Sequence, residues 1–238
     1  PIDQSNNKIS LTNMNFLGVG APVLKDANLD EYSLAQLRSG GVFNSSQLHS
    51  ELISLPAADE ELRLIANQFD KSMLLTGPQA TESGLFKALN LKFNVISFAT
   101  HALKFDELID TQEPSLVLTK TDSDDGLLSQ SEVLSFDLSG SSLVLLSACN
   151  TSSSASHLKF NQFSGLASSF LAAGANNVLV THWPVISDAA RDVSVSFFKS
   201  KQVSLAKRLQ DAIIKLIESP DPIKRSPAYW GAFDLIGI

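Results

Sequence analysis

Short apolar runs alternate along this chain with longer segments in which apolar residues recur about every 3.6 positions. Several short runs are apolar at every position, which is typical of strands covered on both faces. The predicted strands are 15–19, 72–76, 94–99, 116–119, 143–147, 177–181 and 233–236. The predicted helices are 58–68, 81–88, 162–173, 189–200 and 205–217. This alternation predicts a three-layer α/β/α domain built on a mainly parallel sheet.

Four stretches do not fit the alternation, among them the acidic residues 121–126 and the serine-rich residues 152–156. Residues 1–14 are polar, and we expect them to be a segment apart from the domain, which then spans residues 15–238. Residues 25–54 contain Gly40-Gly41 and few apolar positions, so they are predicted to be an insertion or a mobile loop.

Composition narrows the classes of partner. The chain has 18 Lys and Arg against 25 Asp and Glu, a formal net charge of −7, and nucleic acid needs a basic surface. The single cysteine cannot form an internal disulfide, so nothing indicates an oxidising compartment. No apolar run has the length of a membrane span, and the first residues lack a signal pattern. We therefore expect a cytoplasmic protein that binds neither nucleic acid nor a membrane.

The single cysteine, Cys149, follows the apolar run 143–147. Free cysteine is often just a small buried residue. Here, however, it comes after the strand, and Asn150, Thr151 and a run of serines follow at once. Side chains at the carboxyl ends of parallel strands lie at the edge where ligands and catalysis collect. Cys149 is therefore predicted to be a nucleophile.

A catalytic thiol needs a neighbouring base, and two histidines fit that role. His101 follows the run 95–99, and His182 follows the run 177–181. A separation of 48 residues between His101 and Cys149 is similar to the caspase pattern of about 50. From the residues alone, both histidines stay open as the base.

Metal and cofactor chemistry have little support in the sequence. Structural zinc takes four Cys or His ligands at short spacings, which this chain lacks. The cluster of Asp122, Asp124 and Asp125 lacks the glycine and glutamate framework of a calcium-binding EF-hand loop. Gly18-Val19-Gly20 has neither the third glycine nor the adjoining helix of a dinucleotide-binding loop. We expect neither a metal nor a cofactor.

Several segments, taken in order, resemble the CHAT domain, a caspase-like relative of separase often found beside tetratricopeptide repeats in bacteria. The chain from about Asn15 to its last residue carries the likeness. The nucleophile motif is Leu146-Ser147-Ala148-Cys149-Asn150-Thr151, and the histidine motif is Phe98-Ala99-Thr100-His101. Further matching segments are 77–82, 114–118, 126–128, 170–175, 183–185 and 229–233.

The resemblance implies a caspase-like fold and a cysteine endopeptidase with His101 as the catalytic imidazole and Cys149 as the nucleophile. It implies backbone N–H groups of Cys149 and residue 102 as the oxyanion donors. The family usually has glycine at that second position, whereas this chain has Ala102, which disfavours a positive φ. Relatives of the separase type carry an aspartate after the tryptophan that binds a basic P1 side chain, and Asp188 is the nearest match here.

The sequence thus predicts a thiol endopeptidase that cleaves a protein or peptide substrate. Asn150 and Asp188 are its expected substrate-binding residues. A regulatory repeat or sensor protein is the expected partner, and we expect this chain to be the protease part of a longer protein. Two other readings stay open: a catalytically silent CHAT pseudoprotease that serves as a binding or scaffold module, and another thiol enzyme such as a transpeptidase or amidase.

Overall fold

The computed structural model describes residues 13–25, 44, 48–103, 113–147, 162–183 and 185–237. The strands within these residues are β1 (Asn15–Pro22), β2 (Lys71–Gly77), β3 (Val95–Ala99), β4 (Ala102–Leu103), β5 (Ser115–Val117), β6 (Leu127–Ser129), β7 (Leu143–Leu146), β8 (Asn177–Thr181) and β9 (Phe233–Gly237). The helices are α1 (Leu48–Glu51), α2 (Pro56–Ala66), α3 (Glu82–Leu89), α4 (Gln130–Leu134), α5 (Gln162–Ala172), α6 (Ser187–Lys199), α7 (Leu205–Ile217), α8 (Pro222–Arg225) and α9 (Pro227–Trp230).

Six strands form the main sheet in the order β2-β1-β3-β7-β8-β9. The first five are parallel to their neighbours, and β9 is antiparallel to β8. Helices α3, α4 and α5 cover one face, while α2, α6 and α7 cover the other. The predicted three-layer α/β/α architecture with a mainly parallel sheet is confirmed.

Side chains alternate along the central strands between the two cores. On β3, Ile96 and Phe98 join the core beneath α3 and α5, whereas Val95 and Ala99 join the core beneath α2 and α6. Strands buried on both faces read as continuous apolar runs, which is why β3 and β7 are visible in the sequence.

A second, small antiparallel sheet has the order β4-β5-β6. The predicted strand 116–119 corresponds to β5 of this small sheet and is not part of the parallel one. Strands β4 and β6, with two and three residues, were not predicted because they are too short to show a period. The same is true of α1, α4, α8 and α9, which have four or five residues each.

Candidate active site

Strands β3 and β7 are parallel neighbours, so they end at the same edge of the sheet. Their register pairs Val95 with Leu143 and Phe98 with Leu146. The ladder continues to Ser147, whose N–H donates to the carbonyl of Phe98 at 2.8 Å. His101 follows Phe98 by three residues, and Cys149 follows Leu146 by the same number.

Cys149 and Asn150 lie outside the described residues. The described part of the site consists of His101, the residues that hold it, and the end of β7 up to Ser147.

His101 is fully buried at the end of β3. Its Nε2 lies 2.7 Å from the carbonyl oxygen of Ile53. A carbonyl oxygen only accepts hydrogen bonds, so Nε2 carries a proton. In the neutral ring the lone pair is then on Nδ1, and this is the nitrogen that can take up a further proton.

The backbone around His101 is held by the small sheet. The hydroxyl of Thr100 donates to the carbonyl of Val117, and the N–H of Val117 donates to the carbonyl of His101 at 2.9 Å. Thr100 is also fully buried, so its hydrogen bond is shielded from water. Two hydrogen bonds to one residue of β5 fix the direction in which the chain leaves β3.

The carbonyl of Ile53 comes from the stretch predicted to be an insertion or a mobile loop. Residues 48–54 are not simply a loop, because they include α1 and pair with Lys25, whereas the alternative of an insertion stays a prediction. Lys25 donates to the carbonyl of Leu52 at 3.2 Å and accepts from Ser54 at 3.0 Å. Leu48 and Leu52 are buried against the small sheet. Sequence reasoning missed Ile53 because its contribution is a backbone carbonyl, which every residue has.

Ala102 lies in β4, opposite Leu116 of β5. The bond from Val117 to the His101 carbonyl makes Ala102 and Leu116 a non-hydrogen-bonded pair of the antiparallel ladder. The N–H of Ala102 therefore points away from β5. Among the described residues other than glycine, only Ala21 and Lys92 have a positive φ. Ala102 is thus extended, and alanine is unstrained where the family usually has glycine.

Gly18 and Gly20, considered above as part of a dinucleotide-binding loop, lie inside β1. A Cβ on Gly20 would lie 2.0 Å from the carbonyl oxygen of Ala99, its register partner on β3. Glycine at this position therefore lets β1 approach the end of β3, two residues before His101.

His182 lies at the end of β8, on the other side of β7 from His101. Its Nε2 lies 3.0 Å from a carboxylate oxygen of Asp234, on β9. The side chain is 43% exposed. His182 thus binds towards β9, away from β7, whereas His101 is buried at the edge that β3 shares with β7.

Asp188 lies in the first turn of α6, and its side chain is 53% exposed. Its carboxylate binds Arg191 one turn later, at 2.8 Å, and Arg191 also binds Glu60 on α2. Asp192 is more buried and binds Lys224 at 2.6 Å and the hydroxyl of Tyr229 at 2.9 Å. In the described residues, the carboxylate of Asp188 therefore forms its salt bridge with Arg191 of the same helix.

The cluster of Asp122, Asp124 and Asp125 makes hydrogen bonds that hold the local structure. Asp124 accepts hydrogen bonds from the N–H and the hydroxyl of Ser83, at 3.2 and 2.8 Å, and Asp125 accepts from the N–H of Leu127 at 2.8 Å. Burial and the neighbouring carboxyl of Asp125 raise the pKa of Glu82 to about 8. Within the described ranges, no group of three His, Cys, Asp or Glu side chains could hold a metal ion.

Glu61 is a residue that the sequence analysis missed. It lies on α2, only 2% exposed, and accepts a hydrogen bond from the hydroxyl of Ser147 at 3.0 Å. Ala58, Leu62 and Ile65 form the buried stripe of this helix, and Glu61 is part of it. Burial raises the pKa of Glu61 from 4.5 to about 7. The available signal was an acidic residue at a core position of a predicted helix.

Comparisons with known proteins agree with this architecture. The sequence model of the CHAT domain family matches residues 4–238. The comparison with curated proteins found no match. No helix in the described ranges has both the length and the apolar character needed to cross a membrane.

Among solved structures, the chain is similar to the Arg-specific cysteine proteinase gingipain R, with a TM-score of 0.53 and 8% sequence identity. The match covers 94% of this chain and 46% of the gingipain chain, so this chain spans about half the length of that protein. At this identity the likeness shows the fold, and the predicted caspase-like fold is confirmed.

Proposed function

Since the chain belongs to the CHAT domain family, we propose that it is a cysteine endopeptidase in which Cys149 attacks the scissile carbonyl and His101 transfers the proton. The bond between the carbonyl carbon and the amine breaks, and water then releases the acyl group from the sulfur. Its substrate is a protein or peptide.

The observation that carries the proposal is the register of β3 and β7. His101 and Cys149 each come three residues after a register pair, Phe98 and Leu146, at the shared edge of the sheet. Cys149 is two residues beyond Ser147, and two residues of extended chain span at most about 7 Å. This short covalent link supports a thiol close to the end of β3.

The state of His101 suits a proton acceptor. With Nε2–H bound to the carbonyl of Ile53, Nδ1 can accept the thiol proton and later give it to the leaving amine. The same carbonyl stabilises the imidazolium, because its oxygen keeps its hydrogen bond when the ring becomes charged. It thus orients the base, as a carboxylate does in other hydrolases.

Backbone N–H groups of Ala102 and Cys149 are the proposed donors to the oxyanion. Ala102 supports this role in that its N–H points away from β5. Such donors act where charge develops, and loss of one typically lowers kcat by about 10² to 10³.

Substrate recognition is assigned to Asn150 beside the nucleophile and to Asp188 on α6. Asp188 would bind a basic P1 side chain in exchange for Arg191, its present partner at 2.8 Å. We further propose regulation by a repeat or sensor protein, and a cytoplasmic location, as expected from the composition.

The experiment compares the parent with Cys149→Ala, His101→Ala and the double variant on a fluorogenic peptide library. We expect both single variants to abolish cleavage with circular dichroism unchanged, and the double variant to be no worse, because dyad members act as a unit. His182→Ala is the matched control and should keep its activity. A parent that cleaves nothing, alone or with the proteins encoded beside it, would instead support the pseudoprotease reading. Loss of activity in His182→Ala alone would refute the choice of base.

A further inference from the structure

Glu61 is a buried carboxyl side chain in a mainly apolar layer that also contains the hydroxyls of Ser147 and Ser194. Helix α2 packs its buried stripe against β1, β2, β3 and α6. Glu61 occupies the middle of that stripe, between Ala58 and Ile65. Glutamate is almost never fully buried unless its charge is paired, so its position needs an explanation.

Few hydrogen bonds compensate the burial of this carboxyl. Oε2 accepts from the hydroxyl of Ser147 at 3.0 Å. Oε1 faces the buried hydroxyl of Ser194, which favours the ionised carboxylate, although the two atoms do not form a hydrogen bond of normal geometry in the described part of the chain. A carboxyl buried with so few hydrogen bonds costs stability, so its place beside the end of β7 needs a reason other than stability.

The alternation of side chains places Glu61 beneath both strand ends. Ser147 lies on the same face of the sheet as Leu143 and Leu145, the face that α2 covers. Ala99 of β3 is on that face too, and His101 comes two residues later. Cys149 comes two residues after Ser147. The two residues of chain from Ser147 to Cys149 span at most about 7 Å, so with the side chains and the hydrogen bond to Ser147 the thiol is held within about 15 Å of the carboxyl.

We propose that Glu61 is a positioning residue of the candidate peptidase site. It holds the end of β7 through Ser147 and places an ionisable carboxyl beneath the strand ends that carry His101 and lead to Cys149. This inference rests on the proposed function, because it concerns the reactivity of the Cys149 thiol.

The charge on Glu61 changes near neutral pH. Burial raises its pKa to about 7, while Ser147, the neighbouring Ser194 and the positive charge of Arg191 favour the ionised form. Arg191 is the charged group that acts on it from α6, and His101 is the titratable group just beyond β3. The residues of β1, β2 and β7 that lie on the face covered by α2 are uncharged. The charged residues of α2 itself lie on its outer side: Asp59, Glu60 and Arg63.

Ionisation of Glu61 therefore adds a negative charge beneath the dyad. That charge opposes formation of the thiolate and favours the imidazolium. For a separation of about 10 to 15 Å and an effective dielectric constant of about 20, such an interaction shifts a neighbouring pKa by about one unit. In the parent, ionisation of this carboxyl raises the pKa of the thiol while the thiol itself is titrating. The thiolate therefore forms over a wider pH range than it would if the thiol titrated alone.

The test measures the rate of alkylation of Cys149 by iodoacetamide between pH 4.5 and 9, which needs no peptide substrate. Glu61→Gln keeps an oxygen for Ser147 and removes the charge. In this variant we expect the Cys149 thiol to titrate as a single group over a narrower pH range. We expect its pKa to be lower than in the parent by up to about one unit. Glu60→Gln, the exposed neighbour on the same helix, is the matched control and should superimpose on the parent.

Ser147→Ala gives a second variant in case Glu61→Gln does not fold. Loss of this hydroxyl raises the pKa of Glu61 further, so the carboxyl stays neutral over more of the titration. Its alkylation profile should therefore move towards that of Glu61→Gln. Profiles of both variants that superimpose on the parent would overturn the proposal.

The outcome is separate from that of the proposed function. If no peptide is cleaved but the alkylation profiles shift as stated, the peptidase proposal fails while the link between Glu61 and the thiol stands. If peptides are cleaved and the profiles coincide, the assignment of Glu61 alone is wrong. Where cleavage is seen, the pH profile of kcat/KM should shift in the same direction as the alkylation profile.

Discussion

Replacement of Glu61 by glutamine should change how the stability of the fold depends on pH. The carboxyl is 2% exposed, and burial raises its pKa from 4.5 to about 7. The unfolded chain releases this proton near pH 4.5, whereas the folded protein keeps it until about pH 7. Between these values the folded state binds more protons, so the free energy of unfolding falls as the pH rises.

The size of the effect follows from the shift. One pKa unit corresponds to about 1.4 kcal/mol, so a rise from 4.5 to about 7 gives about 3 kcal/mol. This contribution is fully present below pH 4.5 and is lost above pH 7. Glutamine does not ionise, and its carbonyl oxygen can still accept from Ser147. The free energy of unfolding of Glu61→Gln minus that of the parent should therefore be larger at pH 8 than at pH 4.5, by up to about 3 kcal/mol.

Urea denaturation followed by circular dichroism at pH 4.5, 6, 7 and 8 measures this difference. Glu60→Gln, in which the replaced side chain is 59% exposed, should show no such change between pH 4.5 and 8. A difference between parent and Glu61→Gln that is constant with pH would refute the reasoning, since it would mean that the buried carboxyl does not titrate in this range. A carboxyl that destabilises the fold at neutral pH is consistent with a role in function.

Three further changes probe the surroundings of the dyad. Thr100→Val removes the hydroxyl that donates to the buried carbonyl of Val117, so it should lower the free energy of unfolding in urea by about 1 to 3 kcal/mol and slow cleavage. Unchanged stability would contradict the role of this hydrogen bond. Gly20→Ala would place a Cβ 2.0 Å from the Ala99 carbonyl oxygen, so the end of β3 should move, which should cost about 1 to 3 kcal/mol of stability and slow cleavage. A melting temperature equal to that of the parent would count against this expectation. Asp188→Asn should lower kcat/KM about fivefold on Arg and Lys P1 peptides and not on matched Leu peptides, because exposed charge pairs contribute up to about 1 kcal/mol; an equal effect on all peptides would remove Asp188 from the P1 pocket.

The sequence by itself determined the elements whose pattern is local. β8 and α7 have the bounds that the apolar period predicts, 177–181 and 205–217. α3 begins one residue after the predicted start, because the side chain of Thr81 caps it by accepting from the N–H of Gly84 at 3.0 Å. His101 and His182 stood out in the same way, since each closely follows an apolar strand, and the pattern alone did not choose between them.

Only the tertiary structure decided which of these elements meet. Strand β7 pairs with β3 although three strands, β4 to β6, lie between them in the described chain, and that pairing rather than any local signal brings the approach to Cys149 beside His101. The partner of His101 is a backbone carbonyl at Ile53, 48 residues earlier, which no side-chain pattern encodes. Glu61 meets Ser147 across 86 residues of sequence. Such contacts depend on how whole layers pack, because local propensity fixes a segment's own backbone and leaves its distant neighbours open.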